Sequence, residues 1–512
     1  MPPPLHGPIL RPMRGCEVIE EFGREGRSAE APGPAVDADQ PPPAEGREAP
    51  AADHSDPPAL RWGIWPVVAM AATAAALYGF WWFSHHRPPI QFGAFKRPPI
   101  YGVFIPVWDE LALTVIPAGV VLAAVAWLIT TRLRMPRWSA LALVVVSGVT
   151  TAATIALVRG EWRHLTRGLS TEPDRVAYYT SDLHFVYELG VRGFIEQHPD
   201  LGPEFDSYNS WTHPPGVLVF LYLLFRVVGA SHPLRIAVAI AVVAFAAAVS
   251  AWLIGRTLGG ERAGRIGAVL FAAAPGPLML SYTNLDTVFA TVMTMSAALF
   301  VLAIHRRSAP VAATAGAVLG VGTLMTFATS FIVIAATLAV LIQTGLRTGA
   351  RLLGAAAAGG VAVLALAWLT LGFDVFASYQ ASPQAARPYD PYWIVASPAA
   401  WLIYAGLPLA VLGIAGLVVK VPGSRRPVLV LVLVVVMLVW ASLPSELTKL
   451  RPGEVERTWA FLYPLVAASA GLVVDAWTRN LPRRWAGGVV AGLVALSVGQ
   501  AVFLQGLYEN FY

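Results

Sequence analysis

Cysteine occurs once in the 512 residues, at Cys16. A disulfide framework, a thiolate zinc site and an iron–sulfur cluster are thereby excluded, and redox chemistry on cysteine with them. Charge is also scarce. Charged residues make up 13% of the chain, against roughly a quarter in a soluble domain, so there is too little polar surface to meet water on every side. Soluble enzymes and nucleic-acid binders fall away on that count. What fills the chain instead is apolar: 56% hydrophobic residues, with a mean hydropathy of +0.59. The formal charge of +5 sits in connections between apolar segments, where it orients the chain in a bilayer. Alternating ten-residue segments, the mark of a membrane β-barrel, are absent, so an all-α polytopic membrane protein is predicted.

Residues 1–60 carry Pro, Ala, Glu and Asp in short clusters with few large apolar side chains, and predict a disordered cytoplasmic tail. No short apolar region with a small-residue cleavage site precedes residue 60, which makes the first apolar segment an uncleaved anchor. Runs long enough to cross about 30 Å of hydrocarbon as helices lie near 63–83, 109–130, 138–158, 236–254, 265–280, 286–304, 310–326, 328–344, 351–373, 398–419, 427–444, 459–476 and 486–505. About thirteen transmembrane helices are expected. They group into two extra N-terminal helices (61–137), a central module (138–344) with a long outer loop at 159–235, and C-terminal helices (345–512) with outer loops at 374–397 and 445–458. The connections between Arg132 and Arg137, Arg256 and Arg265, Arg306 and Arg307, Arg347 and Arg351, Lys420 and Arg426, and Arg479 and Arg484 hold sixteen basic residues and one acid, Glu261. Such loops face the cytoplasm. Residues 216–229 are apolar but only fourteen long, and counting them as a crossing would invert every later loop against its charge. They are expected to be re-entrant or to lie along the outer face.

Polar residues gather in the long outer loop, as YYTSDLHFVYELG (178–190) and EFDSYNSWTHPPG (204–216). Acids and histidines where a bundle meets water suit catalysis at a membrane surface, because partial desolvation tunes a carboxyl group there. A loop of that length must also be polar merely to be solvated. Asp182 precedes apolar residues at 183, 186, 189 and 194, which predicts the first turn of a surface helix. Pro214 and Pro215 remove two backbone donors and force an extended entry into an apolar segment, holding His213 at the lip of the bilayer. Asp286 opens a further apolar helix on the same face, where an ordinary helix cap is an equal reading. In LTKLRPGEVERTWAFLYP (447–464), Lys449, Arg451, Glu454, Glu456 and Arg457 sit between two apolar helices. Charges at a bilayer boundary are costly unless paired or used, and arginine is shaped to hold a phosphate bidentately. Interfacial snorkelling explains Lys449 better than Arg457.

An outer-loop acid, a short helix and a His-Pro-Pro element opening an apolar helix together resemble the GT-C superfamily of polyprenyl-phosphate-sugar-dependent glycosyltransferases, among them protein O-mannosyltransferases and aminoarabinose transferases. The resemblance runs from about 138 to 305, with a weaker echo at 445–465. It implies a GT-C-like fold with its first catalytic loop outside, and an enzyme that moves a hexose or pentose from a polyprenyl-phosphate donor to an acceptor hydroxyl on a glycan, lipid or protein. By the same resemblance Asp182 is the general base, and the anomeric centre inverts in a single displacement. Relatives carry Asp-Glu where this chain has Asp182-Leu183, and a lysine near the Pro-Pro where it has His213. His213 is therefore the expected donor to the leaving phosphate, with Arg451 and Arg457 as phosphate ligands. Asp286 matches the superfamily's second-loop acid and is expected to share Mg2+ or Mn2+ with Asp182, while Glu454, Glu456 and His184 line the site. A transporter or flippase of a lipid-linked saccharide is the competing reading; it predicts ionisable residues inside helices and internal repeats, and neither is evident.

Overall fold

The computed structural model describes residues 63–86, 102–169, 179–229, 232–282, 284–382, 392–443 and 455–510. The tail 1–60 lies outside them. In chain order the helices are α1 (Trp65–His86), α2 (Val115–Thr131), α3 (Arg137–Ala156), α4 (Leu183–Leu201), α5 (Tyr208–Thr212), α6 (Gly216–Val228), α7 (Pro233–Phe245), α8 (Ala248–Gly259), α9 (Glu261–Ala273) and α10 (Pro275–Leu280). They continue as α11 (Asp286–Arg306), α12 (Ala309–Thr323), α13 (Thr329–Thr344), α14 (Leu346–Leu371), α15 (Val375–Ala381), α16 (Tyr392–Ala405), α17 (Leu407–Val418), α18 (Val428–Ser442), α19 (Val455–Thr458), α20 (Leu462–Thr478) and α21 (Arg483–Leu507). One small antiparallel pair, β1 (Gly102–Phe104) with β2 (Tyr508–Asn510), sets Val103 opposite Glu509. Three residues are too few to show alternation, which is why the all-helical expectation missed it.

Each of the thirteen expected crossings contains helix, but their lengths divide them. Six apolar stretches of eighteen or more residues are long enough to span a bilayer among the described residues: 110–131, 137–159, 233–259, 286–306, 346–371 and 483–507. A seventh arises if α16 and α17, bent by 112°, count as one broken span. The segment 265–280 is interrupted where Ala274 turns extended (φ −64°, ψ 139°) ahead of Pro275, since proline supplies no amide to continue a helix.

Close packing joins helices far apart in sequence. α2 packs on α21, α20 on α9 and α17, and α12 on α14, so the three expected modules interlock. The α12–α14 contact is backbone to backbone. A Cβ on Gly316 would sit 1.8 Å from the Ala356 carbonyl oxygen, and one on Gly359 would sit 2.0 Å from that of Ala313; small residues are what allow helices in lipid to approach this closely. At the α16–α17 bend Gly406 adopts φ 81°, and Gln500 of α21 compensates for the break. Its Oε1 accepts the Leu407 amide at 3.0 Å and its Nε2 donates to the Ile403 carbonyl at 2.9 Å. Backbone groups freed inside a bundle need such partners. Replacing Gln500 by Leu should therefore cost about 1–3 kcal/mol, read as a lowered Tm in detergent; an unchanged Tm would remove this role.

Polar residues sort to the two ends of the bundle. At one end Arg159 donates to the carbonyls of Ile105 and Gln505, tying the start of the long loop to β1 and to the end of α21. At the other, Arg262 pairs with Asp475 at 2.9 Å, and Arg265, almost fully buried, donates to the carbonyls of Arg132, Leu133 and Met135 and pairs with Glu261. Arg265 thus closes the C-terminus of α2 rather than lying in solvent. The span 233–259 arrives at this basic end, where the Arg425 amide meets the Leu258 carbonyl, and α6 packs against α4 and α7. His213 and Asp286 consequently share the opposite end.

Candidate active site

The polar end is built from three chain segments that converge on the start of α11. The first runs through Tyr179 into α4. Asp182 is fully buried, and its carboxylate does not cap its own helix; it accepts the amides of Asp206 (2.8 Å) and Ser207 (3.1 Å). Burial raises its pKa above the ordinary carboxylate value, opposed by the hydrogen bonds from those two amides. A carboxyl held this way is a loop clamp and, where a hydroxyl reaches it, a stronger base than a solvated one. Tyr179, one turn earlier, is 1% exposed and points into the cluster around Asp286; burial and the Asp286 charge raise its phenol well above its usual pKa, so it stays protonated.

The second segment brings His213. The Gly216 amide, immediately after Pro214 and Pro215, bonds to the Leu324 carbonyl at 2.9 Å, and a Cβ at Gly216 would lie 2.2 Å from that oxygen. His213 packs edge-on to Tyr179 (5.8 Å between ring centres) and against Phe289 of α11 (5.4 Å). Burial lowers its pKa, against the opposing charge of Asp286. Its Nδ1 lies 3.0 Å from the Asn209 carbonyl, which can only accept, so in the neutral ring Nδ1 carries the proton and Nε2 is an acceptor. Donation from Nε2 to a phosphate therefore requires protonation, which burial opposes and an arriving anion favours.

The third segment supplies the charge. Arg457 Nη1 lies 2.5 Å from Asp286 Oδ2, and both side chains are nearly buried, at 10% and 9% exposure. The two readings of Asp286 are separated by Asn284, whose Oδ1 accepts the Asp286 amide at 2.8 Å. Asn284 serves the helix start and leaves the Asp286 carboxylate to the arginine. The neighbouring Glu456 is fully buried, its carbonyl accepting the Tyr463 hydroxyl at 2.7 Å. A buried ion pair of this kind contributes little net stability.

Other expected site residues fall elsewhere. His184 is exposed, bonded through Nδ1 to the Ser181 carbonyl and tilted against Phe185. Arg451 and Glu454 lie outside the described residues. Among the described residues no group of three or more His, Cys, Asp or Glu side chains is placed to hold a metal; the Asp182 carboxylate is taken up by the amides of Asp206 and Ser207 and that of Asp286 by Arg457. Tyr179 and Asn284 were not singled out from the sequence. The Asn-x-Asp spacing before α11 was a legible signal for the second of them.

Residues 212–371 match the family model for dolichyl-phosphate-mannose-protein mannosyltransferase. The match overlaps the stretch whose motifs resemble the GT-C superfamily. It takes in His213, Pro214, Pro215 and Asp286, and stops short of Asp182 on one side and Arg457 on the other. Comparison with curated proteins returns no match. Among solved structures, the oligosaccharyltransferase of Archaeoglobus fulgidus in its apo form is similar over 72% of this chain at 14% identity, with a TM-score of 0.40. The chain spans 56% of that protein's length.

Proposed function

We propose that this chain is a membrane glycosyltransferase of GT-C type, which takes its sugar from a polyprenyl-phosphate donor and passes it to an acceptor hydroxyl at the end of the bundle that carries Asp286, Arg457 and His213. The observation that supports this reading most directly is the nearly buried Asp286–Arg457 pair beside His213. Asp286 fixes the guanidinium in place, and a guanidinium is the side-chain cation best shaped to meet a phosphate diester. As the glycosidic C–O bond breaks, charge grows on the phosphate oxygen; a cation fixed beforehand in a poorly solvated site favours that charge over the ground state. The acceptor oxygen attacks the anomeric carbon and Asp182 takes its proton, in one displacement that inverts the centre. Since Asp182 is fully buried and its carboxylate is held by the amides of residues 206 and 207, this mechanism requires the loop around it to open for the acceptor.

The basic connections gather at the opposite end, which by the positive-inside rule turns the proposed site outward and leaves the N-terminus cytoplasmic. A lipid-linked donor fits that side, because its tail stays in the bilayer. Purified full-length protein incubated with a panel of polyprenyl-phosphate sugars and an acceptor extract should release free polyprenyl phosphate from at least one of them and from no nucleotide sugar. Consumption of a nucleotide sugar, or movement of the intact lipid-linked saccharide across a vesicle without its cleavage, would overturn the reading in favour of another donor class or of transport.

A further inference from the structure

At the basic end, remote from the proposed reaction, the ends of α8, α11 and α13 and the connection before α18 enclose a cavity of about 150 Å³. One wall is cationic, with Arg307, Arg425 and Arg426, and carries His305 and Gln343 beside them. The other is apolar, formed by Leu258, Val301, Ile304, Val428 and Leu429. No acidic side chain lines it among the described residues, and Arg307, Arg425 and Arg426 form no salt bridge there. This distinguishes them from Arg262, Arg265 and Arg479 at the same end, each of which has a carboxylate. Arg425 instead places Nη1 2.6 Å from His305 Nδ1, so the imidazole accepts the bond and presents no charge of its own to the arginine.

Arg307 adds a second, independent observation. It closes α11 at φ 50°, ψ 39°, with its own amide on the Ile304 carbonyl and the Ser308 amide on that of Ala303. This is the left-handed helix stop that glycine ordinarily fills. Arg307 is the one non-glycine residue with positive φ among the described residues, in a chain with 45 glycines. Backbone conformation alone does not favour an arginine at this position.

We infer that this cavity binds the phosphate headgroup of an anionic membrane lipid, with the acyl chains running along the apolar wall. The two-sided lining favours a lipid over a free ion: a cationic half at the height of the headgroups continues into an apolar half at the end of the spans. Basic pockets between spanning helices on the side that carries the basic loops take such headgroups. The inference is independent of the reaction proposed above.

The test uses purified full-length protein and mixed micelles containing phosphatidylglycerol or phosphatidylcholine, with lipid retention read by native mass spectrometry. Wild type should retain phosphatidylglycerol in preference to phosphatidylcholine, and Arg425→Gln or Arg426→Gln should lower that retention about fivefold each while leaving phosphatidylcholine unchanged. Arg307→Gly separates binding from folding, because the two readouts move in opposite directions: Tm should rise as the backbone relaxes, and phosphatidylglycerol retention should fall. Equal retention by wild type and all three variants would overturn the site. Inorganic phosphate displacing the signal at concentrations comparable to the lipid would overturn the lipid assignment and leave a free-anion site.

Discussion

Replacing Arg457 by Gln is expected to lower kcat/KM for the lipid-linked donor by about 10²–10³-fold, the magnitude seen when one fixed donor to a developing oxyanion is removed. Arg457→Lys should recover only part of this, since an ammonium supplies a point charge where the guanidinium supplies a fork that can hold Asp286 and a phosphate together. The pair also makes a prediction about stability that a purely structural role would share only in part. Arg457→Gln alone strands the nearly buried Asp286 carboxylate, at a cost of about 3–5 kcal/mol. Adding Asp286→Asn removes that stranded charge, so the Tm of the double variant should rise above that of Arg457→Gln while its activity does not. Activity that returned along with Tm would show the pair to be scaffolding; equal kcat/KM for wild type, Gln and Lys would remove Arg457 from the site.

Asp182→Asn is expected to reduce kcat by about 10²–10⁴-fold, the usual loss for a missing general base. The amide can still accept one of the two backbone N–H bonds from Asp206 and Ser207 but sets its own NH2 group against the other, so a modest fall in Tm should accompany it. The pH profile tells base from clamp. Burial raises the Asp182 pKa, and a base acts only when deprotonated; wild-type kcat should therefore fall as pH is lowered through a value above the ordinary carboxylate range, and the residual activity of the Asn variant should lack that limb. A variant with wild-type turnover and faster amide exchange at residues 206 and 207 would make Asp182 a loop clamp and nothing more.

The sequence was legible where a single segment carries its own cause. Scarce charge and long apolar runs announce a helical bundle, and the basic connections mark one end of it, because those signals are local. The helix after Asp182 follows from its apolar spacing, and the extended entry before Gly216 follows from two consecutive prolines. Long-range pairings were not legible. Nothing near Asp182 indicates that its carboxylate would meet the amides of residues 206 and 207, or that Asp286 would be released from its helix end by Asn284 to meet an arginine 171 residues away. Arg265 reads as one more loop cation until the carbonyls of residues 132, 133 and 135 are seen around it. Helix length was overread for a related reason: Pro275 and Gly406 interrupt apolar runs whose hydropathy continues across the break.

The most direct measurement is a structure of the full-length protein bound to a non-hydrolysable polyprenyl-phosphonate sugar. The phosphonate oxygens should lie about 3 Å from the Arg457 guanidinium nitrogens, with Asp286 still against that guanidinium and the sugar between His213 and the opened 205–207 segment. A phosphonate bound elsewhere in the bundle, with Arg457 engaged by protein groups alone, would contradict the account.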